Sequence, residues 1–328
     1  MANFLKLIRF RNLIFIAYIQ FVIRQVVLLP VMQVYGFEYS QGVSLFWLLV
    51  AGTVLIAAGG YALNDYFDIK IDALNHPETQ IVGKDLTRRA AMGVYVATTL
   101  TGIIFGLIVA VLCKSFTLAF IFVIIPGLLW FYSSSYKRQF LTGNIIVSFS
   151  SALTILTVVI FQVSLLENKF GKLIYETPIP SSFYLISGCF ALFAFLTTWI
   201  REIVKDMEDE FGDREMECRT MPIVWGPKKT KLFIYLLILL VVLLLLTVNA
   251  LHWRFLTDLT LKYTLAIIVV PLLLLVYFIH KAGTPAEYHQ ISNWLKIIMV
   301  AGISYGFIFY YIIAVAFHIN IFNIFIVK

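Results

Sequence analysis

Long apolar stretches alternate with shorter polar ones along the whole chain. Nine of the apolar stretches are long enough to cross a bilayer as a helix, which takes about 20 residues. They predict spans at residues 13–33, 43–63, 91–113, 116–133, 144–166, 182–200, 232–251, 263–280 and 297–317. The predicted fold class is therefore all-α, a polytopic membrane protein with about nine transmembrane helices in one domain over residues 1–328.

Composition supports this reading. Hydrophobic residues make up 61% of the 328 positions and charged residues only 13%, with a mean hydropathy of +0.92. So few charges cannot cover that much apolar surface in water, which excludes a soluble enzyme, a disordered chain and a nucleic-acid-binding domain. The cysteines Cys113, Cys189 and Cys218 have no paired spacing, so they indicate neither a disulfide nor a thiolate metal site.

The basic residues predict how the chain is oriented in the membrane. The N-terminal segment and the polar connections 64–90, 134–143, 201–231 and 281–296 hold 18 of the 25 Lys and Arg residues. Basic loops stay in the cytoplasm, so we expect a multi-pass protein of the cell membrane with its N-terminus inside and its C-terminus outside. The net charge of +7 then reflects orientation rather than nucleic acid. Basic residues expected elsewhere are Lys114, Lys169, Lys172, Arg254, Lys262 and Lys328, and Arg24, which lies inside the first span.

The same predicted face carries 14 of the 18 carboxylates, and nine of them lie in the segments 64–72 and 201–213, each of which contains a cluster of the same spacing. Acidic residues contribute little to topology, so orientation does not account for them. Positions i, i+3 and i+7 share one face of a helix, so each cluster is predicted to project three carboxylates in one direction. The clusters are Asp65, Asp68 and Asp72, and Asp206, Asp209 and Asp213. The equal spacing also predicts an internal repeat of spans 1–4 and 5–8.

Stacked like charges repel each other unless a cation neutralises them. Oxygen ligands alone suit a hard ion such as Mg²⁺, which binds through carboxylates together with substrate phosphates. We therefore expect the two clusters to load Mg²⁺ and to clamp a diphosphate at the cytoplasmic face. Basic residues on that face are candidates for stabilising the diphosphate: Arg9, Lys84, Arg88, Arg89, Lys137, Arg138, Lys205 and Arg219.

These motifs resemble those of the UbiA superfamily of intramembrane prenyltransferases. The resemblance is carried by Asn64-Asp65-x-x-Asp68-x-x-x-Asp72, by the loop from Tyr132 to Lys137-Arg138 and by the second Asp-rich segment. Within the superfamily, Arg9-x-x-Asn12 and the stretch from Arg201 to Gly226 are most similar to geranylgeranylglycerol-phosphate geranylgeranyltransferases.

The resemblance implies nine helices around a central cavity, with an Mg²⁺-bound prenyl diphosphate at its cytoplasmic mouth. It places Arg9, Lys137 and Arg219 on the diphosphate and surrounds the metal with Asn64, Asp68, Asp72, Asp206, Asp209 and Asp213. The family often has Arg and Pro after the first motif, where this chain reads Asn75-His76-Pro77-Glu78-Thr79-Gln80-Ile81-Val82-Gly83-Lys84. We expect Lys84 or Arg88 to compensate for the missing Arg residues.

The expected function is Mg²⁺-dependent transfer of a prenyl group, geranylgeranyl by the resemblance, from its diphosphate to a membrane-soluble acceptor. The resemblance favours the hydroxyl of a prenylated glycerol phosphate, which would give an ether lipid. Transfer to an aromatic ring, as in quinone biosynthesis, uses the same donor site and stays open. Asp65 and Asp206 are candidates for accepting the proton. A cation-coupled transporter is the other alternative, although its acids should lie near the middle of the bilayer.

Overall fold

The computed structural model describes residues 2–37, 42–251 and 258–320. Within these residues nine helices are long and apolar enough to cross a membrane, which confirms the predicted fold class. The spanning helices are α2 (Phe10–Val34), α3 (Val43–Phe67), α5 (Arg88–Leu112), α6 (Phe116–Ser134), α7 (Thr142–Phe170), α8 (Ile179–Glu208), α10 (Met221–Leu251), α11 (Leu259–Lys281) and α12 (Pro285–Phe317). Three short helices join them: α1 (Ala2–Leu7), α4 (Ile69–Asn75) and α9 (Glu210–Glu215). Arg254 and Lys328 lie outside the described residues.

Several helices extend beyond the apolar segments that predicted them. Helix α8 continues past residue 200 to Glu208, and α12 begins at Pro285 rather than at residue 297. The start of α12 is fixed by Thr284, whose side chain caps the helix in a reciprocal pair with Glu287. Hydropathy reports only the part of a helix that faces apolar surroundings, so polar turns at the ends are missed. These extra turns carry charged side chains of the site described below.

Small residues let two of the spanning helices approach closely. At the crossing of α3 and α5, a Cβ atom on Gly102 would lie 2.8 Å from the carbonyl oxygen of Gly52. A membrane offers little hydrophobic drive between helices, so close backbone packing of this kind contributes directly to association. Helix α3, which leads into the first Asp-rich motif, is thereby held firmly against its neighbour.

Arg24 is fully buried in a π-helical stretch of α2, Val22–Leu28. Its guanidinium carbon lies 4.8 Å from the ring centroid of Phe46 and 5.9 Å from that of Phe161. Its Nε donates a hydrogen bond to Oε1 of Gln162 at 3.2 Å. Arg24 thus joins α2 to α3 and α7.

Candidate active site

A cavity of about 860 Å³ enters the bundle from the end that carries both Asp-rich motifs. This volume lies within the range of about 300–1,000 Å³ that is usual for small-molecule sites. Charged and amide side chains line its mouth. Further along α3 and α6 its wall becomes apolar, with Ile56, Ile121, Phe122, Ile125 and Leu129. The cavity therefore suits a molecule with an anionic head and a hydrocarbon tail.

Each Asp-rich motif bends at its middle residue, where the sequence predicted an unbroken helix. Helix α3 ends at Phe67, and Asp68 has φ −90° and ψ 2° before α4 begins. Helix α8 ends at Glu208, and Asp209 has nearly the same backbone angles, φ −92° and ψ 2°. The expectation of a single continuous helix is wrong at both places. The shared bend gives the two motifs of equal spacing the same local backbone.

Hydrogen bonds across each bend keep the carboxylates turned to the same side. The amide of Asp72 donates to the carbonyl of Asp68 at 2.8 Å, and that of Asp213 donates to the carbonyl of Asp209 at 3.1 Å. As a result, all the predicted metal ligands line the one cavity, namely Asn64, Asp68, Asp72, Asp206, Asp209 and Asp213, and Asp65 lines it as well. The two clusters, which are far apart in sequence, meet at its mouth.

Basic side chains hold the carboxylates of the first motif. Arg9 Nη2 lies 3.0 Å from Oδ1 of Asp65. Lys137 Nζ forms a buried ion pair with Asp68 and lies 3.3 Å from Oδ1 of Asn64. Arg9 and Lys137, both predicted diphosphate contacts, therefore lie directly beside the predicted metal ligands.

The second motif has different partners. His76 Nε2 lies 2.8 Å from Oδ1 of Asp209, and this hydrogen bond raises the pKa of His76 above its usual value. Asn144, near the start of α7, donates from Nδ2 to Oδ2 of Asp206 at 2.8 Å. The second motif is thus neutralised less completely than the first, because an amide and a histidine stand where the first has Arg and Lys.

Two carboxyl groups at the mouth are disfavoured in their ionised form by burial and by neighbouring carboxylates. Burial, followed by the neighbouring Asp68 and Asp65, raises the pKa of Asp72 to about 7. Burial, followed by Asp209 and Asp68, raises the pKa of Asp213 to about 7. A cation placed between the motifs would oppose both shifts and keep these carboxylates ionised.

The donor set fits a divalent hard ion in its chemistry. Among the described residues no three His, Cys, Asp or Glu side chains converge tightly enough to enclose an ion by themselves. Four of the carboxylates are instead turned to the Arg, Lys, Asn and His partners given above, namely Asp65, Asp68, Asp206 and Asp209. Mg²⁺ does not need a complete protein cage, since it binds through one or two carboxylates and fills its shell with water and substrate phosphate.

Asn75 links the two motifs physically. Its Nδ2 donates to the carbonyl of Asp209 at 3.1 Å, and its Oδ1 accepts from the amide of Gly212 at 2.8 Å. A Cβ atom on Gly212 would lie 2.4 Å from that Oδ1, so only glycine permits the contact unchanged. Asn75 and the adjacent His76 belong to the stretch that departs from the family pattern, and together they join α4 to the second motif.

Three predicted diphosphate contacts are placed elsewhere. Lys84 donates to the carbonyl of Pro77, and Arg88 lies over the ring of Tyr66 at 5.2 Å. The backbone amide of Arg219 donates to the carbonyl of Arg138 at 2.8 Å. Lys84, Arg88 and Arg219 are not part of the cavity wall, whereas Arg138 and Lys205 are.

Some side chains of the cavity wall were not singled out from sequence. Asn144 stands at the start of a span, where a lone Asn gives no signal beyond an ordinary helix beginning. His76 lies in the stretch after the first motif that departs from the family pattern. Lys296 directly precedes the predicted span 297–317, so the sequence places it in a loop. The wall also includes Tyr61, which was not singled out either.

The cavity has a polar mouth, where the two acidic motifs meet, and an apolar wall further in. In a helical membrane protein, this is the architecture of an enzyme that acts on an amphiphilic anion. The chain belongs to the UbiA prenyltransferase family, whose model matches residues 27–291. It is therefore a prenyltransferase, which excludes the cation-coupled transporter.

Curated relatives point to one group within the family. The chain is 31% identical over 251 residues to the digeranylgeranylglyceryl phosphate synthase of Korarchaeum cryptofilum, covering 76% of this chain and 80% of that protein. It is 34% identical over 181 residues to the protein of the same name from Ignicoccus hospitalis, covering 54% of this chain. That second match spans only about half of the relative, 53% of its length.

Solved structures share the fold. A UbiA homologue from Aeropyrum pernix matches with a TM-score of 0.62 at 13% identity, over 90% of this chain and 96% of the other. A UbiA homologue from Archaeoglobus fulgidus, solved with DMAPP and Mg²⁺, matches with a TM-score of 0.56 at 16% identity, over 95% and 99%. At these identities the likeness concerns the fold alone.

Proposed function

We propose that this prenyltransferase moves a geranylgeranyl group from its diphosphate to the hydroxyl of a prenylated glycerol phosphate, forming an ether lipid. The observation that carries the proposal is the meeting of both Asp-rich motifs at the mouth of one cavity with an apolar interior. The names of the curated relatives support this donor and acceptor. The Archaeoglobus fulgidus structures solved with DMAPP or GPP and Mg²⁺ support a prenyl diphosphate and a divalent metal.

In this proposal Mg²⁺ is held by oxygens of both motifs: Asn64, Asp68, Asp72, Asp206, Asp209 and Asp213. When bound, the ion neutralises the diphosphate and stabilises it as a leaving group. The raised pKa values of Asp72 and Asp213, both about 7, support a cation at this place.

The protein's own groups supply the rest of the chemistry. Arg9 and Lys137 line the mouth and donate hydrogen bonds to the charge that develops on the diphosphate as its bond to the prenyl carbon breaks. The bonding pair leaves with pyrophosphate, and the acceptor hydroxyl oxygen forms the new bond to that carbon. The apolar wall excludes water, which would otherwise capture the electron-poor carbon.

The hydroxyl proton passes to a carboxylate during or after attack. Asp65 and Asp206 both line the cavity, the first paired with Arg9 and the second bonded to Asn144. Both remain candidates for the proton acceptor. Lys84, Arg88 and Arg219 remain predicted diphosphate contacts, and each would have to turn toward the cavity to act.

We also propose that the cavity mouth faces the cytoplasm of the cell, with the N-terminus on the same side and the C-terminus outside. The concentration of basic residues in the connections at that end supports this orientation. Lys6 and Arg9, close to the N-terminus, line the cavity mouth.

The proposal predicts the product of one assay. Membranes containing the protein are incubated with Mg²⁺, labelled geranylgeranyl diphosphate, and either geranylgeranylglyceryl phosphate or aromatic acids. We expect label to enter an ether lipid with the first acceptor and no prenylated ring with the second, as resolved by chromatography. A prenylated aromatic acid as the sole product would contradict the proposed acceptor and establish the ring-prenylating alternative.

A further inference from the structure

A second charged group lines the cavity next to the second acidic motif, on its inner side. It consists of Arg201 and Lys205 on α8 and Lys296 on α12, and we refer to it as the α8–α12 basic group. Lys205 and Arg201 stand one and two helical turns before Asp209, deeper in the bundle. Lys205 directly precedes Asp206, so the group adjoins the second acidic motif and continues from it into the bundle.

The positive charge of this group is only partly compensated. Glu202 is shared, with Oε1 at 2.8 Å from Arg201 Nη1 and Oε2 at 3.3 Å from Lys205 Nζ. In the part of the chain that the structure describes, the buried Nε of Arg201 has no hydrogen-bond acceptor. Glu202 therefore faces two cations, and the Nε of Arg201 stays without an acceptor. Asp206, the other carboxylate beside Lys205, accepts a hydrogen bond from Asn144.

Lys296 adds a third cation to the same wall. The charges that act on it most strongly are the cations of Arg201, Lys205 and Arg9 and the carboxylate of Glu208. Glu208 is itself engaged by His289, whose Nδ1 lies 2.8 Å from its Oε1. The ammonium of Lys296 donates to the amide oxygen of Asn293 at 3.3 Å.

A surplus of cations within spanning helices is costly unless an anion joins them, so it points to function. A phosphate monoester carries roughly −1.5 to −2 charge at neutral pH and three strong acceptor oxygens. Arg and Lys donors match such a group in charge and in hydrogen bonding. The α8–α12 basic group thus has the chemistry of a phosphate site.

The donor diphosphate does not account for this site, because its charge is met at the mouth by the acidic motifs with Arg9 and Lys137. Arg9 lies between the two groups, paired with Asp65 on one side and within electrostatic range of Lys296 and Glu202 on the other. Two anions can thus bind side by side in one cavity.

We propose that the α8–α12 basic group binds the phosphate of the lipid acceptor and so presents its hydroxyl to the prenyl carbon. This inference rests on the proposed function, in which the acceptor is a phosphate monoester.

Acceptor kinetics of Lys296→Gln test the inference in the full-length protein, reconstituted in phosphatidylcholine vesicles with saturating Mg²⁺ and geranylgeranyl diphosphate. We expect the KM for geranylgeranylglyceryl phosphate to rise at least about tenfold, the effect of losing one hydrogen bond to a charged group. We expect Lys296→Arg to restore this KM to within about threefold of the wild-type value. In both variants we expect the KM for the donor to change by less than about twofold. Lys229→Gln, an exposed lysine at the start of α10, is the matched control and leaves both KM values unchanged.

A second acceptor separates phosphate recognition from a general structural effect. Geranylgeranylglycerol, which lacks the phosphate, should show the same KM with the wild type and with Lys296→Gln. An unchanged KM for the phosphorylated acceptor, an equal rise for both acceptors, or a rise for the donor instead would each overturn the assignment while leaving the proposed function intact. If the wild type transfers no label to the phosphorylated acceptor, the proposed function fails and this inference fails with it.

Discussion

Replacing Asp68 or Asp209 by alanine reduces prenyl transfer by about a thousandfold or more, since the metal-assisted stabilisation each supports is worth several kcal/mol. Both residues stand at the bend of their motif and line the cavity mouth. Removing either leaves one half of the clamp without its central oxygen ligand, and the other motif cannot replace it. The measurement is the initial rate of pyrophosphate release and of label transfer at saturating Mg²⁺.

Glu215→Ala is the matched control for these variants. Glu215 is an exposed carboxylate on α9, the same short helix that carries Asp213, and it is not part of the cavity wall. We expect this variant to retain the wild-type rate. Full activity in both Asp68→Ala and Asp209→Ala, with normal insertion into the membrane, would remove the basis for the two-motif clamp.

Lys137→Met is the second substitution with a large expected effect. Its ammonium forms a buried ion pair with Asp68 and lies 3.3 Å from Oδ1 of Asn64, at the place proposed for the diphosphate. Because a preorganised donor to developing negative charge contributes about 10²–10³ in rate, we expect kcat to fall by that factor. Steady-state kinetics with a prenyl diphosphate donor measure it.

Lys70→Met tests whether that effect is specific. Lys70 is exposed on α4, between Asp68 and Asp72 of the first motif, but it does not line the cavity. Its replacement removes the same charge from the same end of the protein. Equal losses in the two variants would show that only the overall positive charge matters, contrary to the role given to Lys137.

Local sequence patterns predicted the helices and the direction of the acidic side chains. The nine predicted apolar spans correspond to nine helices, among the described residues, that are long and apolar enough to cross a membrane. The spacing of Asp65, Asp68 and Asp72 predicted that their carboxylates point to one side, and all three line the same cavity. The bend at Asp68 was not predictable, because the spacing equally fits an unbroken helix and the hydrogen bonds continue across it.

Long-range contacts could not be read from the sequence. The links from Asn75 and His76 to the second motif join residues more than 130 positions apart, and no local pattern marks them. The same holds for the basic residues. Arg9 reaches the cavity but Arg88 lies over Tyr66, and this choice depends on how the helices pack rather than on residue type.

The central claim is that both acidic motifs and a divalent cation together bind the prenyl diphosphate. Binding of a non-hydrolysable geranylgeranyl diphosphate analogue to the purified protein, measured by calorimetry with and without Mg²⁺, tests it most directly. We predict saturable binding that requires Mg²⁺ in the wild type and in Glu215→Ala, and that is lost in Asp68→Ala and in Asp209→Ala. Equal binding without Mg²⁺, or undiminished binding to both variants, would contradict the claim.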